Sequence, residues 1–444
     1  MALDAEQYPA FDADPVEVLW APGRDNGLVL LADPGQLWTP VKGGTIRALG
    51  LSENPEINQR FFDERIRIAE QAMFSSVIEF ATVPARVSNL LIYKNSLAVD
   101  GKWVLSGPAG DRMSSRCQTA WRRAQKRPYW GKRLTQYFED NAQRPLPIAA
   151  QSADDVPFVI EAKNLTNYYH FTKEVLAALT TLDAIPGHHA PIIITYHKRP
   201  PAPFVTAFIE ALFPEHAERV RFEKAPRRYD DALICWYGDY AGLREDGGQH
   251  YGTRHTLDGS HIGAGLSVLL RHAGYSRALR LLRERALRVI KQGDFDHFPA
   301  KFWITRKGGH DRVPKAEGAL IAAFAERGFE TLAFEDLSPL EQVAAMNRAE
   351  TVASYHGAGF TNMMYAGRKT QVFELGTLQT GAQRVGDFSA FCHVSECSYT
   401  HAVADFEYDG DREIPPMRGY GLYPVRISEA GIARLMDRVD ASLR

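Results

Sequence analysis

The feature that most constrains the fold is a glycine-rich turn between two short β-type runs within residues 351–376. The turn consists of His356, Gly357, Ala358 and Gly359. Residues 360–366 suit a short helix, and residues 372–375 suit a second strand. An α/β sheet builds an anion site with this order of elements, because glycines let the backbone approach a phosphate and free N–H groups at the helix start point at it. Similar turns also close βα units that bind no ligand, so the turn alone leaves both interpretations open.

The candidate contacts to a phosphate are the side chains and free N–H groups of this turn and of the helix start. They are His356, Gly357, Ala358, Gly359, Thr361 and Asn362. We expect these residues at the carboxyl end of a parallel strand, which is where open α/β sheets bind ligands.

Length and composition indicate a globular protein with two domains. The 444 residues exceed what one hydrophobic core usually holds, and 24% of them are charged. The net charge of −2 gives no global field that would attract nucleic acid, so we expect no nucleic-acid partner. The four cysteines have no CxxC spacing, which favours a reducing compartment. Without a signal-peptide pattern or an apolar run of membrane-spanning length, the sequence predicts a cytoplasmic protein.

Strand and helix patterns alternate in two parts of the chain. Residues 156–236 show a βαβ rhythm, which predicts a mostly parallel sheet. The alternation is strongest in residues 302–376, whereas residues 377–425 show no regular pattern and residues 428–443 predict a helix. The predicted divisions are an N-terminal domain with an irregular, β-rich start, a C-terminal domain and a final helix. They cover residues 1–292, 293–425 and 426–444.

A second constellation occurs in a helix predicted at residues 167–182. His170 and Glu174 are four residues apart and so share one helix face, and Asn167 lies where a capping residue is expected. A histidine–carboxylate pair can hold or orient a general base. The same spacing is common in solvated salt links on surface helices, so it does not by itself identify a catalytic pair.

A third constellation follows the strand predicted at residues 302–305. Arg306 comes directly after this strand, and Arg312 lies in the following loop. Cations at the carboxyl end of a strand face the same crevice as the glycine turn, where they could neutralise a diphosphate. As isolated residues they would more often be surface charges.

Two further segments, residues 121–137 and 267–292, are rich in basic residues. For residues 121–137 the specific interpretations are contact with nucleic acid or with an anionic membrane, but a solvated helix face with extended arginine side chains is favoured, because the whole chain is close to neutral. For residues 267–292, which are amphipathic in their second half, packing at a domain boundary is favoured over docking to a membrane. In the second segment we expect Gly274 to break the helix and Ser276 to cap its continuation.

In their order along the chain, the three constellations resemble glycosyltransferase family 61. Its members carry an Asn-x-x-His-x-x-x-Asp/Glu element, which is matched by Asn167, His170 and Glu174. Glu174 stands where the eukaryotic members mostly have Asp. The family's members also carry a Ser/Thr-Arg strand end with following basic residues, which is matched by Thr305, Arg306 and Arg312.

The most specific part of the resemblance is a helix that leads into His-Gly-Ala-Gly-Leu-Thr-Asn and a strand ending in Glu. Residues 337–375 match it, with Phe360 in place of Leu. The resemblance covers about residues 156–376, finds no counterpart for residues 1–150, and points to the bacterial branch that builds capsules and other surface polysaccharides.

The resemblance implies a GT-B architecture, an α/β fold in which two Rossmann-like domains face each other across a cleft. It implies an inverting, metal-independent transfer from a nucleotide sugar, usually a UDP-sugar, to a glycan or lipid-linked glycan. The N-terminal domain would lie on the acceptor side, and the C-terminal domain would bind the donor. We expect no divalent metal and no other cofactor, because Asp-x-Asp occurs only in loops.

The resemblance also assigns roles to residues. Glu174 is the expected base, with His170 as its orienting partner or as the base itself. Arg306, Arg312 and the N–H groups of residues 356–361 would stabilise the leaving UDP. Glu374, which ends the last strand, could accept hydrogen bonds from the ribose hydroxyls, and a salt-linked carboxylate is an equal alternative.

Two other functional classes deserve comparison. A non-catalytic nucleotide- or glycan-binding protein on the same fold would keep the glycine turn but lack a working base, and the joint presence of His170, Glu174 and Arg306 disfavours it. A nicotinamide-dependent oxidoreductase is disfavoured because the turn lacks GxGxxG spacing. The expected setting is the cytoplasm, with a peripheral contact at the inner face of the membrane for which the basic segments are suited.

Overall fold

The computed structural model describes residues 9–141, 144–149, 153–241, 262–306, 317–419 and 421–443. These residues divide into two compact units. The first falls within Met1–Val41, Met73–Leu270 and Gly274–Leu282, and the second within Lys42–Ala72, Arg271–Ala273 and Arg283–Arg444. Lys42–Ala72, which the sequence pattern placed in an N-terminal domain, therefore contributes to the second unit.

The described part of the first unit is built on a mixed sheet. Across the sheet the strands follow the order Val220–Lys224, Ile192–Tyr196, Phe158–Glu161, Arg227–Tyr237, Thr82–Tyr93, Ser96–Val99 and Lys102–Trp103, with Leu28–Leu30 also paired to Thr82–Tyr93. The first four strands are parallel and the others pair antiparallel. The parallel part confirms the rhythm predicted for residues 156–236. Its central strands are apolar and fully buried at Phe158, Ile192 and Ile194, as is usual where a parallel sheet is covered on both faces.

A small sheet and several helices complete this unit. The strands are Gly274–Ser276, Val77–Phe80 and Trp38–Val41. The helical segments are Pro15–Val18, Gly107–Arg123, Trp130–Asn141, Tyr168–His170, Phe171–Leu176, Ala177–Leu179, Thr180–Ala184, Pro203–Leu212 and Pro214–Ala217. In the basic segment at residues 121–137, Lys126 lies 3.4 Å from Asp12 and Arg133 donates to Asp14 at 2.8 Å. These ion pairs favour the interpretation of a solvated helix face.

The second basic segment contains the helices Ile262–His272 and Arg277–Ile290. Gly274 separates them, as predicted, but the residues between them form a strand, Gly274–Ser276, that pairs with Val77–Phe80. On that neighbouring strand the buried Glu79 accepts from Arg280 at 2.6 Å and from Arg277 at 3.3 Å. At least these two arginines therefore stabilise the fold through ion pairs with a buried carboxylate.

The second unit contains a largely parallel sheet. Its strands follow the order Glu330–Ala333, Lys301–Thr305, Thr351–Tyr355, Gln371–Thr377 and Ser398–Phe406, and the last of these also pairs with Thr45–Gly50 and Val425–Arg426. The helical segments of this unit are Pro55–Glu70, Glu317–Ala325, Phe334–Asp336, Pro339–Arg348, Ala358–Tyr365, Leu378–Gln383, Ser389–Ser395 and Glu429–Leu443. The chain thus has a mixed α/β fold, as predicted.

Two details of this unit differ from the sequence pattern, and one agrees closely. Ser398–Phe406 is a buried strand inside a segment predicted to be irregular, because its polar Thr400 and His401 interrupt the apolar signal although both are buried. The helix after the glycine turn is a 3₁₀ helix, Ala358–Tyr365. The helix Pro339–Arg348 begins with a capping box formed by Ser338 and Glu341, whose three-residue spacing is typical of that motif.

Among the described residues, no helix combines the length and the apolar character needed to cross a membrane.

Candidate functional site

The predicted histidine–carboxylate pair lies just beyond the carboxyl end of strand Phe158–Glu161. Asn167 caps the helix that follows, since its side-chain oxygen accepts from the N–H groups of Tyr169 and His170 at 3.0 and 3.4 Å. His170 Nδ1 lies 2.9 Å from Glu174 Oε1. The capping residue and the shared helix face therefore lie where the spacing predicted them.

The backbone around this pair is not a regular α-helix. Phe171–Leu176 is a π-helical turn, in which the N–H of Ala177 donates to the carbonyl of Thr172, five residues earlier. Such turns are rare and frequently occur at functional sites. The sequence predicted one continuous helix over residues 167–182, because a π turn leaves no distinct mark on hydrophobic spacing.

Glu174 is almost fully buried and has hydrogen-bond partners on both carboxylate oxygens. Besides contacting His170, Oε1 accepts from Arg112 Nη1 at 2.8 Å, and Oε2 accepts from the N–H of Lys163 at 2.7 Å. Burial by itself would raise the pKa of Glu174, but Arg112, His170 and the Lys163 N–H together hold it below its ordinary value. Glu174 is therefore a buried carboxylate that stays ionised at neutral pH.

Arg112, which sequence patterns did not single out, connects two buried carboxylates. Its guanidinium donates to Glu174 and to Glu161, and its Nε donates to the carbonyl of Asn95 at 3.0 Å. Burial opposes the charge of Arg112, but the two carboxylates outweigh it and raise its pKa. The pKa of Glu161 is raised, because burial and the charge of Glu174 together exceed the effect of Arg112. Of the two carboxylates, Glu174 is thus the one that holds its charge more firmly.

This cluster borders a cavity of about 390 Å³ within the first unit. Its lining includes a histidine, four basic and two acidic side chains, which are His170, Arg112, Arg116, Lys163, Lys173, Asp111 and Glu174. The volume suits a sugar-sized ligand, since small-molecule sites begin at about 300 Å³. His170 is more exposed here than Glu174, with 19% of its side chain accessible against 4%. The histidine is therefore the member of the pair that a ligand can reach.

A further buried carboxyl group of the first unit, Asp239, interacts electrostatically with Asp111 of the cavity. Burial, followed by the charge of Asp111, raises the pKa of Asp239 to about 8, although the N–H groups of Gly107 and Tyr240 donate to it. A carboxyl group whose pKa is raised by folding stabilises the protein fully below its unfolded pKa, and this contribution is lost as the pH rises towards the folded value.

We expect Asp239→Asn to unfold at a higher temperature than the wild type, by a margin that grows from about pH 5 to about pH 8. The asparagine oxygen can still accept the Gly107 N–H but carries no charge. Thermal unfolding followed at several pH values measures the margin. Asp409→Asn, at an exposed aspartate, serves as the control and should show no such trend. A margin that stays constant with pH would contradict an elevated pKa at Asp239.

The glycine turn lies in the second unit, directly after the buried strand Thr351–Tyr355. Arg306, which follows strand Lys301–Thr305, donates through Nη2 to the carbonyl of His356 at 2.8 Å. Gly357 has an extended backbone, but a Cβ atom on it would lie 1.6 Å from Arg306 Nη2. Glycine at this position lets the guanidinium lie directly against the backbone. A Cβ on Gly359 would make only ordinary contacts, at 3.6 Å from Ile304.

His356 is held by Glu374 from the neighbouring strand. His356 Nδ1 and Glu374 Oε1 form a hydrogen bond, and Glu374 is completely buried. Within the described residues, Glu374 Oε2 has no hydrogen-bond partner. His401 lies next to Glu374 in the sheet register, and burial lowers its pKa to about 4 despite the Glu374 charge. Glu374 thus orients His356 and leaves Nε2 as the ring nitrogen available to a ligand.

The other residues predicted to contact the sugar-nucleotide donor differ in how exposed they are. Thr361 and Asn362 are fully buried, and Asn362 donates to Gln342 at 3.3 Å. Ala358 is partly exposed at the start of the 3₁₀ helix, where its backbone N–H is one of the first of the helix. Arg312 lies outside the described residues. The structure therefore joins Arg306, Gly357, His356 and Glu374 through direct contacts at one strand end.

A group suited to metal binding also occurs among the described residues of the first unit. Asp183, Glu215 and His216 bring ligand atoms within 4.8 Å of one another. Two of the three are exposed acids, a common surface arrangement, and the group includes none of the predicted site residues.

Comparison with known proteins bears directly on these two sets of residues. No curated protein matches the chain. The protein-family model described as Glycosyltransferase 61 matches residues 168–373. The matched region contains His170, Glu174, Arg306 and the glycine turn, and it ends one residue before Glu374. The resemblance inferred from the motifs is thereby confirmed. The chain carries a glycosyltransferase family 61 domain, and the protein is a glycosyltransferase.

Proposed function

We propose that this glycosyltransferase inverts the anomeric centre as it moves a sugar from a UDP-sugar to a hydroxyl group of a glycan or lipid-linked glycan. The observation that carries the proposal is the hydrogen-bonded pair of His170 and Glu174 at the border of a sugar-sized cavity. Inversion in one displacement needs a base that takes the hydroxyl proton as the oxygen attacks the anomeric carbon, and such a pair supplies it.

We assign the role of general base to His170 and the orienting role to Glu174. The family resemblance favoured Glu174 as the base. Glu174 is buried, has hydrogen bonds on both oxygens and a lowered pKa, all of which make it a weak proton acceptor. Its bond to His170 Nδ1 fixes the proton on that nitrogen, so that Nε2 can accept the proton of the substrate hydroxyl.

In the proposed step the acceptor oxygen loses its proton to His170 Nε2 and forms a bond to the anomeric carbon of the donor. The bond from that carbon to the β-phosphate oxygen breaks, and UDP leaves with the electron pair. Arg306, His356 and the N–H groups at the start of the 3₁₀ helix would stabilise the developing charge. Arg312 is the predicted further cation, and the ribose contact predicted for Glu374 stays a prediction beside its observed contact with His356.

The wider setting follows the family resemblance. We propose a GT-B arrangement with the donor on the C-terminal domain, predicted at residues 293–425, to whose compact unit Lys42–Ala72 also contributes. The parallel strands in each unit support Rossmann-like domains. We further propose a metal-independent reaction in the synthesis of a bacterial surface polysaccharide, at the cytoplasmic face of a membrane. The four free cysteines support a reducing compartment.

UDP is expected to raise the thermal unfolding temperature of the wild type, and Gly357→Ala is expected to lose most of that increase. The added Cβ atom must displace the Arg306 guanidinium, since it would lie 1.6 Å from Nη2. The end of a flexible side chain can move at little cost, so the variant should unfold near the wild-type temperature when UDP is omitted. A thermal-shift titration with UDP, GDP, CMP, ADP and NAD measures both effects.

Gly318→Ala is the matched control, because its Cβ would have no neighbour within 4 Å. It should respond to UDP as the wild type does. A response to GDP or CMP instead of UDP would change the donor class. A response to NAD alone, or to none of the five compounds, would refute the assignment of a UDP-sugar donor.

A further inference from the structure

The cavity beside His170 has more positive than negative side chains. Its cations are Arg112, Arg116, Lys163 and Lys173, and its carboxylates are Asp111 and Glu174. Arg112 is not available to a ligand as a free charge, because it already bonds to Glu174 and to Glu161. The capacity of this cavity to bind an anion therefore depends on its other cations, above all on Arg116 and Lys173.

Arg116 is half-buried, and its only polar contact among the described residues is a 2.7 Å hydrogen bond from Nη1 to Ser96 Oγ. None of the described carboxylates lies within 4.0 Å of it. Burial, followed by repulsion from Arg112, lowers its pKa. An anion that enters the cavity would stabilise this half-buried guanidinium, because a paired charge loses less free energy on leaving water than an unpaired one.

Lys173 projects from the π-helical turn towards the same cavity. Its Nζ lies 5.8 Å from the ring centroid of Tyr169, which is a cation–π distance. No carboxylate of the described residues lies within 4.0 Å of Lys173 Nζ, as is also the case for the Arg116 guanidinium. Lys173 and His170 are three residues apart, so an anion held by the lysine would lie close to the proposed base.

We propose that this cavity binds an acceptor that carries an acid group, either a carboxylate or a phosphate, with Arg116 and Lys173 as its anion contacts. The inference rests on the proposed function, which brings the acceptor hydroxyl to His170. Arg116 offers a planar fork that can hold two oxygens of one acid group, and Lys173 adds a point charge. An acid group bound there would fix the acceptor sugar while a neighbouring hydroxyl faces Nε2.

The test is isothermal titration calorimetry on the full-length protein with matched acidic and neutral sugars. Methyl glucuronide is compared with methyl glucoside, and glucose 6-phosphate with glucose, so that the two sources of negative charge are distinguished. Each sugar is titrated into the wild type, Arg116→Gln, Lys173→Gln and the charge-preserving Arg116→Lys. Arg122→Gln, on the exposed part of the same helix, is the matched control. UDP is titrated into every variant.

We expect at least one acidic sugar to bind more tightly than its neutral partner. Arg116→Gln and Lys173→Gln should each weaken that binding by about tenfold, since a charge-assisted hydrogen bond contributes that much. Arg116→Lys should recover part of the affinity, and Arg122→Gln should match the wild type. The affinity for UDP should be the same in all variants.

The proposal is overturned if neither acidic sugar binds better than its neutral partner at millimolar concentration, or if both glutamine variants keep the wild-type affinity. It is also overturned if these variants weaken the binding of UDP instead, because the cavity would then be part of the donor-binding site. Wild-type protein that binds an acidic sugar but shows no response to UDP would refute the donor assignment and leave the anion site standing.

Discussion

His170→Ala is expected to lower the rate of sugar transfer by about 10²- to 10⁴-fold, which is the usual contribution of a general base. The loss should fall on kcat, with the donor KM close to wild type, because a base acts only as the transition state forms. The variant should fold normally, since the side chain is partly exposed and contributes one hydrogen bond to Glu174. Steady-state release of UDP, with a donor and an acceptor identified by binding, measures the effect.

Added imidazole distinguishes the two possible bases. If His170 is the base, imidazole should restore part of the rate in His170→Ala by occupying the space of the lost ring. It should not help Glu174→Gln, in which the histidine remains but its orienting carboxylate is gone. His189→Ala, at an exposed histidine of the same unit, is the control and should keep the wild-type rate. Transfer by His170→Ala at nearly the wild-type rate would contradict the assignment.

The sequence predicted those parts of the site that lie within one element or in neighbouring elements. His170 and Glu174 are four residues apart, and their contact follows from helical geometry alone. The position of Arg306 near the glycine turn followed from a general rule, since both come at carboxyl ends of parallel strands. In these cases local spacing and sheet topology determine which residues meet.

The parts that the sequence did not predict depend on contacts between distant segments. Arg112 reaches Glu174 across 62 positions and Glu161 across 49, and no local pattern connects them. The strand Thr45–Gly50 pairs with Ser398–Phe406 from the far end of the chain, so its place in the second unit leaves no trace in its own composition. For the same reason no sequence pattern singled out Arg112, although it stabilises the negative charge of the proposed orienting residue, Glu174.

Arg112→Met is expected to reduce the free energy of unfolding by about 3–5 kcal/mol at neutral pH, which is the usual result of removing one partner from a buried ion pair. Methionine fills similar space but leaves Glu161 and Glu174 without their shared cation. Chemical denaturation measures the loss. Arg122→Met, on the exposed part of the same helix, controls for the change of residue type and should stay within about 0.5 kcal/mol of the wild type.

The pH dependence of this loss identifies its cause. Without Arg112, burial and mutual repulsion should raise the folded-state pKa values of Glu161 and Glu174 above their unfolded values. Stability from groups with raised pKa values is complete below the unfolded pKa and disappears as the pH rises through the folded one. Arg112→Met should therefore lose less free energy of unfolding at about pH 5 than at about pH 8. Adding Glu161→Gln to this variant should restore part of its stability at the higher pH. An equal loss at both pH values, unchanged by Glu161→Gln, would mean that Arg112 contributes through packing, and that Glu174 does not need it to remain charged.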